Sequence, residues 1–138
     1  MYLNCHSYYS LRYGTMSVEQ LVQKAKVAGA QTIALTDINN STAIPEFVKE
    51  CGKNNVRPVA GIEFRNGNEL LYIGIARNNN GLRELNEFLS KHNIEKTDLP
   101  LSAPPFSEAC IIYPFNKYPK RKLSDNERIG IRPEIGRA

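Results

Sequence analysis

The sequence lacks the long apolar run and the leader pattern that would place a protein in or across a membrane. No stretch of its 138 residues approaches the roughly 18 consecutive apolar residues that a spanning helix needs. The N-terminus starts on a strand pattern and not on a signal peptide. Hydrophobic residues make up 41% and charged residues 23%, as in ordinary globular domains. We therefore expect a cytoplasmic globular protein with no membrane contact.

Cysteine is also scarce. Cys5, Cys51 and Cys110 are an odd number at wide spacing, with no C-x-x-C pair. This pattern indicates neither a disulfide framework nor a zinc knuckle. We expect the three side chains to act as small buried apolar groups. Internal repeats and low-complexity tracts are absent as well.

The apolar residues that are present follow two periods that alternate along the chain. Short continuous apolar runs are typical of parallel strands covered on both faces, and the segments between them have apolar residues at helical spacing. The alternation predicts an α/β fold with a parallel sheet and right-handed crossovers, either open or closed into a barrel. The first predicted strand starts at Leu3, and the others lie at 32–36, 56–63, 70–76, 109–113 and 127–133. The predicted helices lie at 18–28, 43–54 and 82–92.

Three local signals mark the ends of these elements. Ser17 and Gln20 have the capping-box spacing at the start of the first helix, and Gly29 suits the left-handed residue that ends it. Asn66-Gly67 predicts a two-residue hairpin turn after the third strand. The segment at 70–76 is then either the hairpin partner of that strand or the next barrel strand.

The last third of the chain has a different character. Residues 95–105 are proline-rich without a periodic pattern, and the final predicted strand stops with nothing after it to cover the sheet. We expect residues 1–138 to be the N-terminal part of a domain that belongs to a much longer chain. Uncovered sheet edges and apolar surface would favour a dimer of the isolated segment.

Polar side chains follow three of the predicted strands. His6 comes after the first strand, Asp37 ends the second and Glu63 ends the third. Because the carboxyl ends of neighbouring parallel strands meet at one edge, we expect these side chains to lie close together. A histidine with two carboxylates is a plausible set of metal ligands.

Each of these residues also has a structural interpretation. His6 fits a hydrogen-bonded residue after a strand, Asp37 precedes an Asn-rich loop and suits a turn or helix cap, and Glu63 could pair with Arg65. Spacing alone leaves both interpretations open, and the structural one is the commoner outcome.

Four motifs, in this order and at these distances, resemble one known family. They are similar to the polymerase-and-histidinol-phosphatase (PHP) domain at the N-terminus of bacterial DNA polymerase III alpha subunits. The resemblance covers nearly the whole chain and implies the first part of a distorted seven-stranded (β/α) barrel. The motifs are YLNCHSYYSLRYGTMSVEQLV, ALTDINN, VAGIEF and IARNNNGLRELNEFLS.

The resemblance also implies a metal site from which ligands have been lost. The family motif begins His-x-His, where this chain has Asn4-Cys5-His6. The family's Thr-Asp-His is Thr36-Asp37-Ile38 here, and Tyr13 stands where an acidic residue is usual. Asn4, Tyr13 and Ile38 are thus the degenerate ligand positions.

His6 and Glu63 are the ligand positions that remain, with Asp37 as an orienting residue behind them. A catalytic zinc ion normally has three protein ligands and a water, and two-metal chemistry needs more. We therefore assign no catalytic residue and expect at most a residual divalent ion, Zn, Mn or Mg.

Three hypotheses for function follow. In the first, the chain is the start of a replicative DNA-directed DNA polymerase, a nucleotidyltransferase, and the domain is an inactive scaffold. Its partners would then be the rest of the polymerase chain, other replisome subunits and, through the parent protein, DNA. In the second, it is a metal-dependent phosphoesterase or 3′–5′ exonuclease of the PHP family. In the third, it is a plain interaction domain. Paired carboxylates for polymerase chemistry are not found within the 138 residues.

A basic segment follows the fifth predicted strand. It contains Lys117, Lys120, Arg121 and Lys122, which account for much of the net charge of +4. Such a segment could contact DNA phosphates, although a solvated basic loop is the commoner outcome. We expect these four residues to be the candidates for nucleic-acid contact.

Overall fold

The protein, described here from a computed structural model, has six strands and three helices in the residues that the structure describes, 2–7 and 16–130. Residues 2–4 are described by their backbone alone. The strands form one sheet in chain order. They are β1 (Tyr2–Cys5), β2 (Thr32–Ile38), β3 (Arg57–Asn66), β4 (Glu69–Ala76), β5 (Ala109–Tyr113) and β6 (Glu127–Ile129). The helices are α1 (Val18–Val27), α2 (Ile44–Lys53) and α3 (Asn79–Glu95).

The first half of the sheet is parallel and confirms the predicted β-α-β arrangement. β1 pairs with β2, and β2 pairs with β3 along its full length. The five central residues of β2 are buried, as expected of a parallel strand covered on both faces. Ile33 and Leu35 of β2 pack with the apolar faces of α1 and α2 in one core cluster.

The second half of the sheet departs from the predicted parallel pairing, and the segment at 70–76 is the hairpin partner of the third strand, the first of the two predicted alternatives. β4 is antiparallel to both β3 and β5, and only β5 and β6 return to parallel pairing. Two residues separate β3 from β4, and a parallel connection needs a crossover of a dozen or more. The sheet is therefore mixed, and the seven-stranded barrel stays a prediction.

The hairpin turn lies one residue later than predicted. Its central residues are Gly67 and Asn68, because Asn66 is still paired with Glu69 at the end of β3. Gly67 has φ +59°, and a positive φ at the first central position favours glycine. The side chain of Asn66 is thereby free to bind the backbone of Leu99, with both its amide donor and its oxygen at 2.9 Å.

The ends of α1 are as predicted. The Gln20 N–H donates to Ser17 Oγ at 3.2 Å, and the Ser17 N–H donates to Gln20 Oε1 at 2.9 Å. Gly29 has φ +80° directly after the C-cap. The capping box and the left-handed glycine are therefore both confirmed.

α3 is longer at both ends than the predicted 82–92. Asn78 caps its start, since its side-chain oxygen accepts from the Gly81 N–H at 2.9 Å. A Cβ at Gly81 would lie 2.0 Å from the Glu108 carbonyl oxygen, so a glycine is needed where this helix meets the start of β5. Lys96 ends the helix at φ +56°.

A second core cluster lies between α3 and the antiparallel part of the sheet. Phe64, Tyr72 and Tyr113 are fully buried in it, with edge-on or tilted ring contacts. Leu99 and Ala103 from the proline-rich segment, and Phe106 directly after it, complete this cluster. None of the helices in the described part of the chain is long and apolar enough to cross a membrane.

Candidate functional site

β1, β2 and β3 lie side by side, and the ends of β1 and β2 lie near Glu63 as predicted. Glu63 does not end its strand, however, because β3 continues to Asn66 while residues 64–66 stay paired with β4. These strands are parallel neighbours, and the Cα of Ile38 at the end of β2 is in register with that of Glu63 on β3. His6 follows β1 directly. The fold thus brings His6 and Glu63 together from 57 residues apart in the chain.

Glu63 is fully buried, and both of its carboxylate oxygens are bound by cationic or donor side chains. His6 Nε2 lies 2.9 Å from Oε1. Arg65 Nε donates to Oε2 in a direct ion pair, with the Arg65 side chain only 14% exposed. Glu63 and Arg65 are two residues apart on one strand, so they lie on the same face of the sheet. The predicted Glu63–Arg65 pairing is therefore present, and His6 is the hydrogen-bonded residue of the structural interpretation.

This environment keeps Glu63 ionised. Burial alone would raise the pKa of the carboxyl, because a charged group is poorly solvated in the interior. The hydrogen bond from His6, with the hydrogen bond and charge of Arg65, outweighs burial and lowers the pKa of Glu63 below its ordinary value of 4.5. The carboxylate is held as the centre of a buried ionic group.

Asp37 holds the chain that follows His6. The Ser7 N–H donates to Asp37 Oδ1 at 2.6 Å and the Ser7 hydroxyl donates to Oδ2 at 2.7 Å. Asp37 is 2% exposed and Ser7 is fully buried. Asp37 therefore holds Ser7, the residue next to His6, at the end of β2.

Asn39 joins the end of β2 to β3 at the same edge. Its φ of +49° is a left-handed conformation that asparagine tolerates. Its side chain pairs with the backbone of Arg65, donating to the carbonyl at 2.9 Å and accepting from the N–H at 3.0 Å. Its own N–H donates to the Glu63 carbonyl at 2.9 Å. Sequence reasoning placed Asn39 in a polar loop and missed this role.

The described residues at this edge do not fit a metal ion. No group of three or more His, Cys, Asp or Glu side chains that could hold one occurs among residues 2–7 and 16–130. The Arg65 guanidinium on Glu63 already supplies positive charge, and burial raises the pKa of the Cys5 thiol to about 11, so it stays protonated. Ile38 adds an apolar side chain beside Glu63. Tyr13 and the side chain of Asn4 lie outside the described residues.

The three cysteines are free thiols. Cys51 is buried as predicted, whereas Cys5 and Cys110 are only half-buried. Burial also raises the pKa of Cys51 to about 11. The Cys5 and Cys51 thiols therefore stay protonated at neutral pH and act as packing groups.

The four predicted nucleic-acid residues lie in the segment between β5 and β6, but two of them are engaged within the protein. Lys117 Nζ lies 3.0 Å from Glu69 Oε1 at the surface. Arg121 makes two hydrogen bonds of 2.8 Å to the carboxylate of Glu127. Lys120 and Lys122 are exposed.

Glu127 is a third buried carboxylate, besides Glu63 and Asp37, and sequence reasoning missed it. Besides Arg121, it accepts from the Tyr113 hydroxyl at 2.7 Å and from the Ser124 N–H at 3.0 Å. The hydrogen bonds from Arg121, against the opposing effect of burial, lower the pKa of Glu127 to about 2. The position of an acidic residue at the start of a short strand was the only signal for it.

Replacing Ser7 by alanine is expected to lower the free energy of unfolding by about 1–2 kcal/mol, because a buried hydrogen bond to an ionised carboxylate is removed. The backbone N–H bond to Asp37 remains, which limits the effect. Urea unfolding measures it, and Ser90→Ala on the exposed face of α3 is the control. Equal stability of the two variants would contradict the proposed role of Ser7.

Comparison with known proteins places the chain in a family. The family model described as "PHP domain" matches residues 3–116. The chain belongs to the PHP domain family. It is 33% identical over 93 residues to DNA polymerase III subunit alpha of Staphylococcus aureus (strain N315), covering 65% of this chain and 9% of that protein. It is 36% identical over 83 residues to the same subunit of Ureaplasma parvum, covering 60% and 8%.

This PHP chain therefore spans about a tenth of the length of the curated relatives it matches. Among solved structures, it is similar to a putative metal-dependent phosphoesterase from Bifidobacterium adolescentis. That match has a TM-score of 0.52 and 16% identity over 67% of this chain and 32% of the other. At this identity the likeness supports a shared α/β fold and nothing further.

Proposed function

We propose that residues 1–138 are the N-terminal part of a PHP domain in a DNA polymerase III alpha chain, where they act as a structural scaffold and not as a hydrolase. One observation carries this proposal: both oxygens of Glu63 are bound by His6 and Arg65. Glu63, the carboxylate at a remaining ligand position, is thus already part of a buried ionic group with His6 and Arg65. The similarity to polymerase subunits supports the parent protein.

The chemistry of the donor set supports the loss of hydrolysis. A catalytic zinc site needs three protein ligands and an open position for water, and a two-metal phosphoesterase needs bridging carboxylates. Here Glu63 is bound by His6 and Arg65, and the Asp37 carboxylate accepts both hydrogen bonds of Ser7. Ile38 and Asn4 stand where the resemblance implies histidine ligands.

As a scaffold, the segment would pack against the remainder of its own polymerase chain. Its partners would be the rest of that chain and other replisome subunits, with DNA reached through the parent protein. Both sheet edges, β1 and β6, end the row of strands in the described residues. Later residues of the polymerase would complete the seven-stranded barrel there, and without them a dimer of the segment would cover the same surface.

Metal content tests the proposal directly. We expect the protein, incubated with Mn²⁺ or Zn²⁺ and then freed of excess metal, to retain well under one ion per chain by mass spectrometry. We also expect no hydrolysis of a chromogenic phosphate ester with added Mn²⁺. Asn4→His/Ile38→His is the matched positive control for ligand gain, because it restores two family ligand positions.

The alternative function is that of a PHP metal-dependent phosphoesterase or 3′–5′ exonuclease. Two results together would establish this function: the native protein holds an ion tightly and hydrolyses the ester, and His6→Ala loses both the ion and the hydrolysis. That result would overturn the scaffold proposal.

A further inference from the structure

The loop between β5 and β6, residues 114–126, presents aromatic rings and lysines to solvent together. Phe115 is 61% exposed and Tyr118 is 49% exposed, and these are the only large exposed aromatic side chains among the residues that the structure describes. Lys120 and Lys122 follow within four residues of Tyr118 and are exposed. We name residues 114–126 the basic aromatic loop.

The loop is held in place at several points. Lys117 pairs with Glu69 at the β3–β4 hairpin, and its N–H donates to the Pro114 carbonyl at 3.0 Å. Arg121 bridges Glu127 and the Ser102 hydroxyl, which lies 2.8 Å away. A binding surface on this loop would therefore be largely ordered before its partner arrives, which reduces the entropic cost of binding.

The same contacts divide the four cations of the loop into two groups. Lys117 and Arg121 each form an ion pair within the chain, with Glu69 at the surface and with the buried Glu127. Lys120 and Lys122 have no ion-pair partner within the described residues, and no acidic residue occurs from 114 to 124. The positive charge available to a partner is thus that of two lysines, beside two exposed rings.

We propose that the basic aromatic loop binds single-stranded nucleic acid, with Lys120 and Lys122 on phosphates and with Phe115 and Tyr118 stacked on bases. Proteins that bind single strands combine these two features, since every base has a face on which a ring can stack. A duplex hides those faces, and an acidic protein segment would use the lysines but not the rings. The proposal does not depend on whether the PHP site holds a metal.

The test is the salt dependence of binding to a labelled dT oligonucleotide, followed by fluorescence anisotropy. Lys120→Glu/Lys122→Glu should reduce the magnitude of the slope of log K against log salt by about 1.4, which is about 0.7 for each phosphate that a lysine no longer neutralises. The control Lys24→Glu/Lys26→Glu makes the same charge change at the same spacing on α1 and should leave the slope nearly unchanged. Arg121→Gln should also leave the slope unchanged.

The rings have a separate signature. Phe115→Ala and Tyr118→Ala should each weaken binding about tenfold at an unaltered salt slope, because stacking releases no counterions. All of these lysine and aromatic residues are exposed, so thermal unfolding should be unchanged and folding can be checked independently. Equal effects of the two lysine pairs, or no binding of dT at low salt, would overturn the proposal. Stronger binding of a poly-glutamate peptide than of dT would instead identify an acidic protein as the partner.

Discussion

Replacing Arg65 by methionine is expected to lower the free energy of unfolding by about 3–5 kcal/mol, the usual cost of breaking a buried ion pair from one side. The reason is that Glu63 is fully buried and would keep its charge with only His6 as a partner. Methionine approximates the length of the arginine stem, so the loss of packing is small. Urea unfolding of the purified protein measures the change.

Two further variants separate charge from packing. Arg57→Met removes an exposed arginine at the start of the same strand and should change stability by less than about 0.5 kcal/mol. Glu63→Leu/Arg65→Met removes both charges together and should recover much of the stability, because apolar replacement of a buried pair is often neutral. A single Arg65→Met variant as stable as Arg57→Met would contradict the central place of this pair.

The parallel half of the fold could be predicted from the sequence because its signals are local. The apolar run of β2, the capping box at Ser17 and the left-handed Gly29 each involve residues within one element or its ends. The antiparallel course of β4 is one of two alternatives that the sequence allows. The two-residue connection between β3 and β4 decides it, and the pairing of Asn66 with Glu69 that fixes this length is a contact between two strands that the sequence does not show.

The site shows the same division. The Glu63–Arg65 pair is a spacing of two on one strand, so the sequence allowed it as an interpretation. The roles of Ser7 and Asn39 depend on partners 30 and 26 residues away, and a polar residue in a loop gives no sign of which distant strand it will meet. Conversely, the four cations clustered at 117–122 suggest one basic surface in the sequence. Only the fold shows that Arg121 forms an ion pair with Glu127.

The second large effect is expected at Glu127. Glu127→Ala should lower the free energy of unfolding by about 2–3 kcal/mol, because it leaves the fully buried Tyr113 without its acceptor and removes a charged hydrogen-bonding centre. Glu127→Gln keeps an acceptor for Tyr113 and should be less destabilising. Glu87→Ala, at an exposed site in the middle of α3, is the control for removal of a glutamate.

The pH dependence of stability distinguishes the contribution of the Glu127 charge from that of its packing and neutral hydrogen bonds. In the folded protein its pKa is about 2, below the ordinary value of 4.5. The unfolded state therefore binds the proton more tightly, and the stability that the charge provides is fully present above pH 4.5. It is lost as the pH falls towards 2. The stability difference between the native protein and Glu127→Gln should therefore narrow over that interval. If the difference in unfolding free energy between the native protein and Glu127→Gln stays constant with pH, the ion pair with Arg121 adds no stability. Glu127 would then stabilise the loop through packing and neutral hydrogen bonds.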